Sequence, residues 1–442
     1  MSAAPLARWG SIFGMQRDVV KLSLCWACTL TASTLLTACG PLAARSVGAS
    51  TSLAPFAIGM FLLGAAVISL PSARMFRVCG RAGGFMIGCA LGLVGALIGI
   101  FATEVAENAT AWIFVACFLI GVSQGMGQFY RFAASELCDR VEERASAVTL
   151  VLAGGVISSF AGPLGAYHTR FVSWPALHVE TTDFTGCFVL VALANVVNAA
   201  IILTITFADV RGSTAAALSA PLVPRAAPRG AWTILRERDC ACAVLTASLA
   251  HTAMVALMSP LTIAMADERF SYDVTTTTLE LHFLSMYAPG LLGAGALIRR
   301  AGPHRAAVVG LVLFAACAGT LSGGQLLGEY CAGMVLCGLA WHLCFSSATV
   351  MLTTCYTPAE APEVQGLNDF IIFGCAGCGS LASGYVYAAF GWERLVYGVS
   401  ALMLAFGAGV LTLALRAPRP AKAPAYAQAG AEPPPGDDTQ LA

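Results

Sequence analysis

The chain has 442 residues, 58% of them apolar and only 11% charged, with 24 basic and 24 acidic side chains. A soluble multidomain protein carries nearer a quarter charged residues, and a balance of zero leaves no electrostatic footprint for nucleic acid. The 17 cysteines fall mostly inside apolar runs, where they act as small packing residues.

Apolar runs of about 20 residues, each long enough to cross a bilayer core ~30 Å thick, recur along the chain. They lie at 20–41, 53–70, 83–102, 111–131, 146–167, 184–208, 241–263, 278–298, 304–323, 331–354, 367–388 and 394–415. The expected fold is an all-α polytopic membrane protein of twelve transmembrane helices in the lipid bilayer. A segment 1–19 precedes the first six, which occupy 20–208. A loop rich in Pro, Ala and Arg at 209–240 splits the helices six and six. The second half covers 241–416, and a Pro/Ala-rich polar stretch, 417–442, is expected to be disordered.

With the N-terminus in the cytosol, 20 Lys and Arg fall inside and four outside, at Arg45, Arg170, Arg269 and Arg394. Positive charge stays on the cytoplasmic side during insertion. Both termini are therefore expected in the cytosol, in the plasma membrane. Cys375-Ala-Gly-Cys378 has C-x-x-C spacing, but no second pair or His cluster accompanies it. It is expected at a helix–helix contact, with no metal and no cofactor.

A weak repeat links the halves. Arg77-Val-Cys-Gly80-Arg81 stands between spans two and three, and Arg300-Ala-Gly302-Pro-His-Arg305 between spans eight and nine. Each puts a glycine among arginines on the inner side. Two related six-helix halves suit a transporter that rocks about a central site.

These features resemble the major facilitator superfamily over almost the whole chain. The Arg/Gly loops are similar to its cytoplasmic signature, though Arg77 stands where an acidic residue is usual. Gln124-Gly-Met-Gly127 resembles its R-x-x-Q-G-x-G element, with Gly121 in place of the arginine associated with proton coupling. That substitution points away from proton-driven transport. QFYRFAA (128–134), VLAGGV (151–156), MYAPG…LIRRAG (286–302) and QGLNDF (365–370) resemble a branch that includes bacterial and trypanosomatid riboflavin transporters.

Span four carries the polar run. Gln124, Gln128 and Arg131 are spaced four and three apart, on one helical face. Amides facing lipid would lack partners, so this face is expected to meet a cavity or another helix. Arg131, at the inner edge, either snorkels or pairs with Glu136, as a gate or a structural tie. Trp26, Thr29 and Ser33 share a face of span one. His251 lies mid-span seven, Tyr287 mid-span eight, and Trp341-His342 mid-span ten. The resemblance implies that spans one, four, seven and ten line the cavity. Trp26, Gln124, Gln128, His251, Tyr287, Trp341 and His342 are the candidate solute contacts, with core packing the alternative for the aromatics. Arg77, Arg81, Glu136, Arg300, Asn368 and Asp369 are candidate gating or structural residues. Asn368 and Asp369 are expected to cap span eleven or to latch onto Arg299 or Arg300.

Aromatics, amides and imidazoles without a midplane carboxylate suit a neutral, flat, hydrogen-bonding solute. The resemblance names riboflavin, and the protein is expected to be a monomer. A proton-coupled drug or metabolite antiporter is the first alternative; a non-transporting receptor or sensor is the second. No nucleophile–base set or metal spacing suggests an enzyme.

Overall fold

The computed structural model describes residues 11–12, 15–104, 109–138, 141–171, 173–174, 179–180, 182–207, 229–322, 326–357 and 360–415. The stretch 417–442, residues 209–228 of the central loop and residues 1–10 of the N-terminal segment lie outside the described residues.

The helices are α1 (Arg17–Ser46), α2 (Phe56–Glu104), α3 (Thr110–Gly127), α4 (Tyr130–Glu136), α5 (Val141–Thr169) and α6 (Thr185–Ile202). They continue with α7 (Ala231–Leu235), α8 (Arg238–Asp267), α9 (Tyr272–Leu291), α10 (Ala294–Ala301), α11 (Pro303–Leu321), α12 (Leu327–Thr353) and α13 (Ala361–Leu415). Two antiparallel hairpins, β1–β2 (Ser11–Ile12 with Met15–Gln16) and β3–β4 (Ser173–Trp174 with Val179–Glu180), have two residues per strand. In lipid every backbone group must be paired internally, which is why the apolar runs become helices. Hydroxyls inside them fold back on the same helix, as Thr246 does on the Cys242 carbonyl at 2.7 Å.

Among the described residues, nine helices are long and apolar enough to cross a membrane. One of them, Ala361–Gly409, holds two crossings joined at Gly391 (φ 81°). Phe56–Ser72 adds a shorter apolar crossing and Tyr272–Leu291 a more polar one. The total is the expected twelve. Spans two and three are the parts of α2 on either side of Gly80, and span four is α3 with α4. Spans seven to ten are α8, α9, α11 and α12; α13 supplies spans eleven and twelve. An even number of crossings returns the chain to its starting face, here called proximal; the opposite face is distal.

The halves pack by the same rule. Span one lies on span five as span seven lies on span eleven, and the halves meet where two touches eleven and five touches eight. The Arg/Gly repeat has a backbone counterpart. Gly80 (φ 74°, ψ 172°) and Gly302 (φ 90°, ψ 141°) turn the chain at equivalent loops. Positive φ is open to glycine at no steric cost, so each loop needs its glycine.

The apolar core is shared unevenly. At the distal end one cluster runs through both halves, from Leu35 and Phe61 to Leu261, Phe283 and Trp392. At the proximal end it divides. Leu22, Phe85 and Tyr130 belong to a cluster of the first half, while Ile234, Leu352 and Val364 belong to one of the second. The halves are joined distally and part toward the proximal face. Polar ties reinforce the distal seam: Arg45 meets Asp267 at 2.8 Å, Tyr387 donates to the same carboxylate at 2.9 Å, and Ser380 donates to the Pro55 carbonyl at 2.7 Å.

Candidate functional site

A cavity of about 370 Å³ lies between the halves, within the ~300–1,000 Å³ range of small-molecule sites. Trp26, Gln124, Gln128, His251, Tyr287, Trp341 and His342 all line it, and so do Ser33 and Arg131. Its lining reaches Ile298, Thr349 and Val350 toward the proximal face.

The second half supplies an aromatic wall. Trp341 and Phe345, one turn apart on span ten, stack with centroids 4.7 Å apart and planes at 15°. The Trp341 indole N–H donates to His251 Nδ1 at 3.0 Å. A nitrogen that accepts carries no proton, so His251 is neutral with its proton on Nε2. His342 donates from Nδ1 to the Met286 carbonyl at 2.7 Å, which fixes its tautomer and ties span ten to span eight. Tyr287 enters because span five has no side chain opposite it: a Cβ at Gly155 would lie 2.7 Å from its ring.

The first half supplies the polar wall. Span four is not one unbroken helix, since α3 ends at Gly127 and α4 begins at Tyr130. Gln128 caps the C-terminal end of α3, yet it lines the cavity with Gln124 and Arg131. Gln124 is only 6% exposed. Glycines hold span four tightly against span two. A Cβ at Gly121 would fall on the Phe61 carbonyl oxygen, and one at Gly64 on that of Phe118. The position that resembles the family's arginine thus faces span two and has no room for a side chain.

Several expectations need correction. Thr29 does not join Trp26 and Ser33 at the cavity. Its hydroxyl accepts from Asn198 at 3.0 Å, and Asn198 also donates to the Tyr130 hydroxyl at 3.0 Å. Glu136 does not pair with Arg131. Arg81 takes its carboxylate through two nitrogens, joining the start of span three to the end of span four. Arg131 instead approaches Asp369 across the halves at 3.8 Å. Asn368 and Asp369 do not cap span eleven, because α13 begins two turns earlier at Ala361. Asn368 donates to Asp369 at 3.0 Å, and both are buried. The acidic partner expected for Arg300 is engaged by Arg131, and Arg300 is exposed on α10. The side chains of Arg77 and Arg299 lie outside the described residues. Cys375 and Cys378 are exposed; their neighbour Gly377 makes the helix contact, against Gly59 and Leu63.

Sequence reasoning missed three polar groups. Asn195 and Asn198 on span six are buried, with Ser123 donating to Asn195 at 3.1 Å. Their i, i+3 spacing in an apolar run was the same signal that singled out the glutamines. His282 on span eight is a third buried imidazole, held by the Met334 carbonyl at 2.8 Å.

The model of the Major Facilitator Superfamily matches residues 272–436. A riboflavin transporter of Brucella anthropi, RfnT, is 30% identical over 400 residues, 88% of this chain and 94% of its own length. Two solved structures are similar in fold. The human organic anion transporter MFSD10 superposes with a TM-score of 0.62 at 17% identity, covering 90% of this chain and 99% of that one. The Escherichia coli xylose transporter XylE, in a partially occluded inward-open conformation, does so at 0.66 and 10% identity, covering 91% and 99%.

Proposed function

The chain belongs to the major facilitator superfamily and is a membrane transporter, and we propose that its solute is a small neutral organic molecule, riboflavin, moved across the plasma membrane by alternating access. One observation carries the reading. Among the described residues the cavity is lined by stacked aromatics, two glutamines and two histidines, with no carboxylate in the wall. Riboflavin is neutral at pH 7, with a flat tricyclic ring for the aromatic wall and a polyol and imide for the amides. The relative that is 30% identical carries that vitamin by name.

In this reading Trp26, Gln124, Gln128, His251, Tyr287, Trp341 and His342 contact the solute. Arg131 and Asp369 close the proximal side, and Arg81 with Glu136 braces it. The proximal face is the cytosolic one, following the excess of Lys and Arg there. An antibody against a tag fused after Ala442 should then label cells only once they are permeabilised.

The decisive experiment is uptake of labelled riboflavin by cells lacking their own carrier. Saturable uptake competed by unlabelled flavin, and not by sugars or drugs, is expected. No uptake despite protein at the cell surface would overturn the proposal.

A further inference from the structure

Alternating access requires the distal seam to part, and Tyr272, at the start of span eight, bridges it. Its hydroxyl donates to the Ala38 carbonyl of span one at 3.4 Å. Its ring stacks on Tyr167 of span five, with centroids 6.5 Å apart and planes at 30°. Phe184, just before span six, meets the same ring edge-on at 5.9 Å and 81°. The Arg170 guanidinium lies 5.2 Å from the centre of the Tyr272 ring and 4.8 Å from that of Phe184, and a cation over an aromatic face is attracted to it. That guanidinium is pinned in place. Asp183 accepts from two of its nitrogens at 3.2 and 2.8 Å, and the Arg170 carbonyl accepts from the Phe184 N–H at 2.9 Å. The Arg45–Asp267 pair crosses the same seam, but its side chains are 41% and 39% exposed, and an exposed ion pair contributes little.

Backbone strain marks the same place. Among the described residues only Phe184 (φ 69°) and Arg269 (φ 67°) have positive φ without being glycine. Phe184 forms one wall of the seat that Tyr272 occupies. Arg269 ends span seven in the turn that delivers Tyr272, a position where glycine is usual, with the Phe270 N–H on the Met265 carbonyl at 2.9 Å. Bulky side chains persist at positive φ only where the surroundings over-determine them, and such residues cluster in switch regions. We infer that Tyr272 is the latch of the distal face: seated against Arg170, Phe184 and Tyr167, it holds that side shut, and distal opening is the withdrawal of its ring.

The inference rests on the alternating-access reading above and not on the solute, so its test needs none. Position 37 lies in the cavity wall on the distal stretch of span one. Thr37→Cys is labelled from outside intact cells with a membrane-impermeant maleimide. Position 349 lies in the wall toward the proximal face, and Thr349→Cys is labelled in inverted vesicles. The same chains without the added cysteine supply the background. Tyr272→Ala is expected to speed labelling at position 37 about 10-fold, through the lost ring contacts, while labelling at 349 stays level or slows. Tyr272→Phe keeps the ring and should stay within about three-fold of wild type at both positions. If Tyr272→Ala does not reach the membrane, Arg170→Gln, which leaves the tyrosine and removes the guanidinium from its ring, should shift labelling in the same direction. Faster labelling at both positions marks a loosened fold and overturns the latch, as does an unchanged rate at 37. Labelling of Thr349→Cys in intact cells with Tyr272 present would overturn the membrane orientation instead; the two reporters then exchange cells for vesicles and decide the latch. Failure of riboflavin uptake alone leaves the latch standing.

Discussion

Arg131 of span four and Asp369 of span eleven come within 3.8 Å of each other across the seam between the halves, on the side where the apolar core is divided. Their side chains are 15% and 8% exposed. Neutralising one member leaves the other charged and buried, which is costly. Asp369→Asn is therefore expected to lower the maximal rate about five-fold or more, with the half-saturation concentration moving less than about two-fold, since the gate and not the solute is disturbed. Rates normalised to surface-biotinylated protein check this; a raised half-saturation at unchanged rate would move Asp369 from gate to binding site.

Gln128 lines the cavity at the break between α3 and α4. Losing one hydrogen bond to a neutral solute costs ~0.5–1.5 kcal/mol, or about 2- to 13-fold in apparent affinity. Gln128→Leu should raise the half-saturation concentration by that factor at near-normal surface expression. Unchanged kinetic constants would make the amide a helix tie.

Gly121 touches the backbone of span two, whereas Gly374 on span eleven has open space where a Cβ would stand. Overpacking costs ~1–3 kcal/mol. Gly121→Ala should lower the thermal midpoint of the detergent-solubilised protein, and Gly374→Ala should leave it level or raise it slightly through helix propensity.

Glu360, in the turn before α13, binds Arg229 through both carboxylate oxygens at 3.0 and 2.9 Å, tying the end of the central loop to the second half. The Arg229 guanidinium, helped by backbone N–H groups of Thr357 and Arg229, holds its carboxyl well below the usual carboxylate range. A carboxyl lowered on folding adds stability that is complete above its unfolded pKa of ~4.3 and fades as pH falls below it. The thermal midpoints of wild type and Glu360→Gln should therefore differ by a constant amount from pH 8 to about 5.5. The gap should narrow only below about pH 4.

Coupling is open to a direct measurement. No carboxylate lines the described cavity, and the arginine position of the family is a glycine packed on span two. Uptake at neutral external pH is expected to survive a protonophore over the first seconds, before metabolism responds. Immediate loss would assign the proton to His251 or His342, the imidazoles in the wall.

The crossings were legible because hydropathy along a chain is a one-dimensional signal and a bilayer reads it directly. The Arg/Gly repeat was legible for a similar reason: Gly80 and Gly302 each meet a local backbone demand. Facing was harder. Lipid is as apolar as a bundle interior, so nothing in their spacing told Cys375 and Cys378 to point outward, or Thr29 to turn toward Asn198. Polar side chains revealed more, since a glutamine in an apolar run must find a partner or a cavity. Pairing was hidden where it joined distant segments. Arg131 and Asp369 are 238 positions apart, and the nearby Glu136 was the natural candidate until Arg81 occupied it.

The crossing of spans two and four also limits which side chains position 121 can hold. Where Gly121 sits on the Phe61 carbonyl, even a methyl group demands that two helices separate, and a guanidinium demands far more. A single substitution cannot place an arginine here; span two would first have to retreat through changes that are themselves costly. The contact closes this position to an arginine, so proton coupling of the kind that residue serves would need a group on another helix.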